Sequence, residues 1–289
     1  MNGIIKIDDS KYPRLLKSIG KNAPKQLYYK GEWQDDIFEN CLAVVGSRRM
    51  TTYGRQIAEK LVSEIASRGI TIVSGFMYGI DATAHKATIG VGGKTIAVMP
   101  CGIDLVHPEY QIKLYSDILE AGGLIISEYG GDTNPALWTY PARNRIVAGL
   151  SKAVMVIEAG EKSGSLITAN LAENFERKVF AVPGPLTSVL STGVMQLIKK
   201  GAEAVGGSKD VLDFFGRVGV RQNGIGQFSF NSAGSSTEQR IIQELQKEPM
   251  EIDFLVRELN ISVSEINKVL SLMEINGQIV KDNNKYYVH

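Results

Sequence analysis

Seven short apolar segments alternate with helical patterns over most of this chain. They lie at 42–45, 70–73, 94–99, 124–127, 153–157, 179–182 and 203–205. Short, nearly continuous apolar strands separated by helices are typical of a parallel sheet with both faces covered. The chain is therefore predicted to be an α/β protein with a Rossmann-like open, mostly parallel sheet and helices on both faces. Ligands of such sheets bind at the carboxyl ends of the strands.

Glycine and hydroxyl residues follow three of these segments, at 46–49, 74–81 and 163–165, where a helical pattern begins. Such a junction directs free backbone N–H groups and the positive end of a helix dipole toward one point. Arg48 and Arg49 lie in the first junction, and arginine can hold a phosphate through two parallel hydrogen bonds. The junctions predict a phosphate-binding surface. With no acid, base or metal ligand expected beside them, they favour binding over catalysis.

Two further motifs follow strands of the same predicted sheet edge. The segment 140–145 contains Arg143, Asn144 and Arg145, and the segment 158–169 is rich in small hydroxyl residues. Asn144 can hydrogen-bond to a base edge or a phosphate, and a glycine permits close approach of a ligand to the backbone. Solvated surface arginines and an empty turn remain alternative interpretations of these two motifs.

Composition and missing motifs restrict the function further. The 289 residues carry a net charge of only +1, so nucleic-acid binding would need a local basic patch. The dinucleotide motif G-x-G-x-x-G and the Walker motif are absent, and the three histidines lack metal-ligand spacing, so we expect no cofactor and no metal. No apolar run approaches the roughly 18 residues of a membrane span, and no signal peptide is recognisable. A cytoplasmic location is expected.

The pattern divides the chain into four parts. Residues 1–40 are predicted to be an irregular, aromatic-rich extension packed on the core, and 41–216 the Rossmann-like domain. The segment 217–236 is rich in Gly, Ser and Asn, which is typical of a linker. Residues 237–289 show three helical patterns and a terminal hairpin, which predicts a winged-helix domain.

The combined motifs resemble one family, the bacterial DNA-processing protein A family, also called DprA or Smf. The resemblance covers roughly residues 40–215. Its clearest stretches are VGSRRMTTYG (45–54), SGFMYGID (74–81), KTIAVMPCGID (94–104), YPARNRIVAGLS (140–151) and EAGEKSGSLITA (158–169).

This resemblance implies a function and a set of site residues. It implies a dimeric mediator of recombination, not an enzyme, that binds and protects incoming single-stranded DNA and loads RecA recombinase onto it during natural transformation. By motif position, the expected phosphate-binding residues are Gly46, Ser47, Arg48, Arg49, Arg143, Asn144, Lys162, Ser163, Gly164, Ser165 and Thr168. The chain departs from the family at Glu109, where some members have a basic residue and where a carboxylate would repel phosphate.

The sequence disfavours two alternative functions. Phosphoribohydrolases of a similar fold carry P-G-G-x-G-T-x-x-E, but the essential Glu of that motif falls on Thr168, which cannot act as a carboxylate acid/base. A sequence-specific regulator of duplex DNA needs a cationic recognition helix. The corresponding segment 263–276 has Lys268 as its one basic residue, against Glu265 and Glu274. We therefore expect this last domain to contact protein or to support a dimer.

Overall fold

The described part of the chain forms two units, and a nine-stranded sheet lies at the centre of the larger one. The computed structural model describes residues 2–216, 236–248, 250–275, 279–282 and 285–288. The chain divides into a larger unit, 1–221, and a smaller unit, 222–289.

The strands of the larger unit confirm the predicted α/β fold. They are β1 (Asn2–Lys6), β2 (Gln26–Gly31), β3 (Cys41–Val45), β4 (Thr71–Ser74), β5 (Thr95–Val98), β6 (Leu124–Ser127), β7 (Ala153–Val156), β8 (Lys178–Ala181) and β9 (Glu203–Ala204). Their spatial order is β1-β2-β6-β5-β4-β3-β7-β8-β9, and the neighbours from β6 to β9 are parallel. Each predicted segment lies within one residue of an observed strand.

Helices cover both faces of this sheet. They are α1 (Arg14–Lys17), α2 (Thr52–Ala66), α3 (Ile80–Gly90), α4 (Ile112–Glu120), α5 (Thr139–Leu150), α6 (Gly164–Asn174), α7 (Thr192–Lys199) and α8 (Ser208–Phe215). Alternate residues of β3 belong to different cores. Ala43 belongs to the core that includes residues of α1, α5, α6 and α7, whereas Val44 belongs to the core that includes residues of α2, α3 and α8. This alternation is the two-residue period of a strand buried on both faces.

The chain reverses its direction of travel across the sheet at β3. Strands β4, β5 and β6 follow on one side of β3, and α5 then leads the chain back to β7 on its other side. The carboxyl ends of β3 and β7 therefore form a topological switch point, where open α/β sheets bind their ligands.

Residues 1–40 differ from the irregular extension that the sequence suggested. β1 and β2 form an antiparallel pair, and β2 extends the sheet by pairing antiparallel with β6, Tyr28 opposite Ser127. Leu27 is fully buried by this arrangement, whereas the rest of β2 is only partly covered. A strand with one buried side chain has too weak an apolar pattern to be recognised from sequence.

The smaller unit has the winged-helix arrangement that was predicted. It contains α9 (Ser236–Lys247), β10 (Met250–Glu251), α10 (Ile252–Leu259), α11 (Val263–Ile275), β11 (Ile279–Asp282) and β12 (Lys285–Val288). The strands pair antiparallel in the order β10-β12-β11. The predicted linker up to residue 235 and residues 283–284 of the predicted terminal hairpin lie outside the described residues.

None of the helices within the described ranges combines the length and the apolar character that crossing a bilayer requires.

Leu27 tests whether β1 and β2 are integral to the sheet. We expect Leu27→Ala to destabilise the larger unit by about 2–5 kcal/mol, because the truncation leaves a cavity in a closed core. Urea unfolding followed by tryptophan fluorescence measures this, since both tryptophans, Trp33 and Trp138, belong to the larger unit. Ile4→Ala, at a half-exposed position of β1, is the control, and an equal loss in both variants would contradict the assignment.

Candidate functional site

A cavity of about 640 Å³ opens at the switch point. The loops after β3, β4 and β7 line it together with the first turns of α5 and α6. The structure brings ten of the predicted site residues to this cavity, namely Gly46, Ser47, Arg48, Arg143, Asn144, Lys162, Ser163, Gly164, Ser165 and Thr168. Arg49 is exposed and is not among the lining residues.

The loop after β3 positions Arg48 at the mouth of the cavity. Gly46 is required there, because a Cβ atom would lie 2.7 Å from Cγ1 of Ile80. The Arg48 guanidinium lies over the ring of Tyr140 at 5.2 Å and over the ring of Tyr78 at 6.0 Å. A guanidinium that stacks on a ring keeps its in-plane N–H groups free for a bidentate acceptor such as phosphate.

A buried carboxylate joins this loop to the loop after β7. Glu158 is 4% exposed, and its two oxygens accept hydrogen bonds from the backbone N–H of Thr51 at 2.9 Å and from the Thr51 hydroxyl at 2.5 Å. The same hydroxyl accepts a hydrogen bond from the N–H of Gly54 at 3.0 Å and so caps α2. Sequence reasoning gave Glu158 no role. An acidic residue directly after an apolar strand was the available signal.

Arg143, which was predicted to bind phosphate, is buried against backbone carbonyl groups. It is 4% exposed, and its guanidinium donates to the carbonyl oxygens of Gly75 and Val98, just after β4 and at the end of β5. Burial lowers the pKa of Arg143 to about 10, against the opposing attraction of Asp81. Arg143 therefore braces the floor of the cavity. That Arg143 also contacts phosphate stays a prediction.

Arg145, two residues further along α5, does not line the cavity. Its Nη2 atom forms an ion pair of 2.6 Å with Glu128. Residues two apart on a helix point about 200° apart, so Arg143 and Arg145 cannot serve the same face. The expectation that both arginines supply charge to the site is wrong for Arg145.

The loop after β7 presents hydroxyl groups at the start of α6. Ser163 caps this helix, its Oγ accepting from the N–H of Ser165 at 3.3 Å and lying 2.7 Å from the Ser165 Oγ. The Asn144 side chain donates to the carbonyl oxygen of Gly164 at 3.5 Å, which ties α5 to the same loop. Lys162 is exposed beside these groups. The N-terminus of α6, with its hydroxyls and this cation, suits an anion.

The second glycine junction, after β4, supports the first one. The N–H of Ile80, the first residue of α3, donates to the carbonyl oxygen of Ser47 at 3.2 Å. Gly79 has a φ of +81°, and a Cβ there would lie 2.3 Å from that same oxygen. This junction therefore uses its helix terminus to hold the loop that carries Arg48.

Two carboxyl groups line the cavity, contrary to the expectation that no acid lies beside the loops. Asp81, at the start of α3, accepts a hydrogen bond from the N–H of Met77 at 3.3 Å. Burial raises the pKa of Asp81, and the positive charge of Arg143 opposes this. Glu161 is exposed at the rim, where the Gln196 side chain donates to it at 3.5 Å. Asp81 thus braces the loop after β4.

His85 is a buried structural residue outside the cavity lining. Its Nδ1 atom lies 2.7 Å from the hydroxyl of Thr95, and that hydroxyl donates to the carbonyl oxygen of Ile72 at 2.8 Å. The hydroxyl has one proton, so His85 must donate through Nδ1. Burial lowers the pKa of His85 to about 3, which keeps the ring neutral at physiological pH.

The aromatic residues near the site divide into two groups. Tyr140 lines the cavity, and its hydroxyl lies 2.8 Å from Nε2 of His107. Tyr53 instead donates to the carbonyl oxygen of Pro183 at 2.7 Å and is not a lining residue. Burial and the charge of Arg48 lower the pKa of His107. The exposed Glu109 opposes this shift. Tyr78 does not line the cavity either, but its ring contacts Arg48 at the mouth of the cavity.

Within the described ranges, no three His, Cys, Asp or Glu side chains are grouped as metal ligands. Cys41 and Cys101 are buried, and burial raises their pKa to about 12 and about 11.

Thr51 tests the brace between the two loops. We expect Thr51→Val to destabilise the larger unit by roughly 1–3 kcal/mol, because it removes a helix cap and one donor to a buried carboxylate. Thr52→Val changes the neighbouring exposed residue and should cost less than about 0.5 kcal/mol. Urea unfolding followed by tryptophan fluorescence gives both values. Equal stability of the two variants would show that the brace is not needed.

Comparisons with known proteins show the family to which the chain belongs. A family model described as DNA recombination-mediator protein A matches residues 3–216, and a model of the DprA winged helix domain matches residues 231–283. Protein Smf of Escherichia coli is 40% identical over 210 residues, which are 73% of this chain but only 56% of that protein. DprA of Streptococcus pneumoniae is 42% identical over 207 residues, 72% of each chain.

Two solved structures are similar to the larger part of the chain. The X-ray structure of S. pneumoniae DprA has a TM-score of 0.68 at 41% identity and covers 73% of each chain. DNA processing protein A of Helicobacter pylori has a TM-score of 0.66 at 30% identity and covers 74% of this chain and 95% of that one. With the family model matching residues 3–216, this chain belongs to the DNA recombination-mediator protein A family.

Proposed function

We propose that this protein binds single-stranded DNA, with backbone phosphates held in the cavity at the switch point. The observation that supports this most strongly is the convergence of Arg48, Lys162 and the hydroxyl-rich start of α6 on one cavity. Cations, hydroxyls and a helix N-terminus are complementary to a phosphodiester. The H. pylori relative is described for its own single-stranded DNA binding mode, which favours the same ligand here.

The aromatic residues favour a single strand over a free nucleotide or a duplex. Single-strand sites combine a cationic groove with aromatic side chains on which unpaired bases stack. Tyr78 and Tyr140 flank the Arg48 guanidinium, so bases can stack beside the phosphate that Arg48 holds. Stacking is tolerant of sequence, and we therefore propose binding with little sequence preference.

The role of the bound DNA strand in recombination and the protein partners are inferred from family membership. We infer that the protein protects incoming single-stranded DNA and loads RecA recombinase during natural transformation, acting as a homodimer. In the smaller unit, Lys268, Glu265 and Glu274 are all exposed on α11. That mixed charge disfavours a groove-binding helix, so we propose that this unit contacts protein.

A role in binding is favoured over phosphoribohydrolase-like catalysis. Thr168 occupies the position of the required glutamate, and a hydroxyl cannot replace a carboxylate as acid/base. Of the two carboxyl groups at the cavity, Asp81 holds the loop at Met77, and Glu161 lies exposed at the rim. Neither arrangement resembles a carboxylate aimed at a bound sugar.

Binding of fluorescent oligo-dT across a salt series tests this proposal. We expect the affinity of the wild type to fall steeply with salt, because bound phosphates release counterions. Arg48→Ala should weaken binding by about 1–3 kcal/mol and reduce the salt slope by about one.

The matched control is Arg49→Ala, which removes the same charge from the next residue, outside the cavity lining. It should retain most of the affinity. Equal losses from both variants would show that the phosphate is held elsewhere, and affinity independent of salt would contradict phosphate binding altogether.

A further inference from the structure

We propose that Trp138 is a stacking platform for one unpaired base of the bound strand, just outside the phosphate cavity. This inference rests on the proposed binding of single-stranded DNA and adds a contact that the cavity does not contain. The ligand it would take is a nucleobase of any sequence, presented by a strand whose neighbouring phosphate lies in the cavity.

Trp138 presents a large apolar surface to solvent at the start of α5. Its side chain is 64% exposed, and the adjacent Leu137 is 92% exposed. Trp33, by contrast, is half-buried between the rings of Tyr29 and Phe38. An aromatic side chain contributes most to the free energy of binding when its faces are covered. The exposed ring of Trp138 is therefore available to a planar ligand.

The position of Trp138 is fixed although its ring is exposed. The buried Thr139 closes a turn, its N–H and hydroxyl both donating to the carbonyl oxygen of Ala136 at 2.9 and 2.8 Å. The Trp138 carbonyl accepts from the N–H of Ala142 at 3.2 Å. The Tyr129 ring meets the indole at 88° with centroids 5.9 Å apart. A perpendicular contact covers at most one face of the indole, so at least one face stays open on a pre-oriented ring.

The platform is continuous with the phosphate cavity. Tyr140 and Pro141 both line the cavity. Trp138 is the N-cap residue of α5 and has helical backbone angles, and Pro141 follows it by three residues. Residues three apart on a helix are surface neighbours, with Cβ atoms about 5–6 Å apart. A strand that leaves the cavity over Pro141 therefore reaches Trp138 with its next base.

The charges around the platform favour a base over a phosphate. Burial raises the pKa of Tyr129, the charge of Glu128 raises it further, and the charge of Arg145 lowers it. Glu128 and Arg145 are paired with each other at 2.6 Å. A neutralised pair leaves the Tyr129–Trp138 surface without net attraction for a phosphate. In duplex DNA the bases are already stacked and paired, so this platform discriminates in favour of a single strand.

Intrinsic fluorescence tests the contact directly, because Trp33 and Trp138 are the two tryptophans of the chain. The full-length Trp33→Phe variant retains only Trp138, and its emission should be quenched on addition of oligo-dT. The Trp138→Phe variant retains only Trp33, and its emission should change little. Unquenched emission of Trp138 at saturating oligo-dT would overturn the inference.

Affinity measurements with a matched ligand complete the test. Trp138→Ala should weaken binding of oligo-dT roughly tenfold and leave unchanged the binding of an abasic oligomer of equal length. Leu137→Ala, which truncates the neighbouring exposed side chain, should change the affinity less than about twofold.

The failure of this inference can be told apart from failure of the proposed function. Trp138 stacks no base if the Trp138→Ala variant binds oligo-dT as tightly as the wild type does, or if its affinities for oligo-dT and for the abasic oligomer fall equally. The exposed surface is then assigned to a protein partner. If Arg48→Ala still weakens binding by about 1–3 kcal/mol in that case, the phosphate site stands. Absence of oligo-dT binding by the wild type would overturn both proposals.

Discussion

The hydrogen bonds from Thr51 to Glu158 fix the spacing of the two loops that enclose the cavity. These loops follow β3 and β7, which are neighbours in the sheet but lie more than 100 residues apart in the chain. On the other side of the cavity, Arg143 holds the residues that end β4 and β5. The four strand ends are thus locked by buried polar contacts before any ligand arrives, which reduces the ordering cost of binding.

This arrangement separates residues that build the cavity from residues that face a ligand. Glu158, Asp81 and Arg143 are buried. Glu158 accepts hydrogen bonds from Thr51, Asp81 accepts one from the N–H of Met77 and attracts Arg143, and the Arg143 guanidinium donates to backbone carbonyl groups. Arg48 and Lys162 are exposed and keep their charge for an external partner. A protein with a net charge of +1 can therefore offer a local cationic site without a basic surface elsewhere.

The sequence allowed the seven parallel strands to be predicted. Strands β3 to β8 are short, almost continuously buried runs such as 153–157, and the two-residue, exposed β9 is the exception. The sequence also allowed the cavity lining to be predicted, because carboxyl ends of parallel strands share one edge. The brace at Glu158, the pairing of Arg145 with Glu128 and the antiparallel strands β1 and β2 were not predicted. Each depends on a partner far away in the chain, and local pattern carries no information about that partner.

A crystal structure of the full chain bound to oligo-dT tests the central claim most directly. The account predicts a backbone phosphate within hydrogen-bonding distance of Arg48 and of the backbone N–H groups at 163–165, with the loops after β3 and β7 unmoved. A strand bound elsewhere on the molecule, with the cavity free of phosphate, would contradict it.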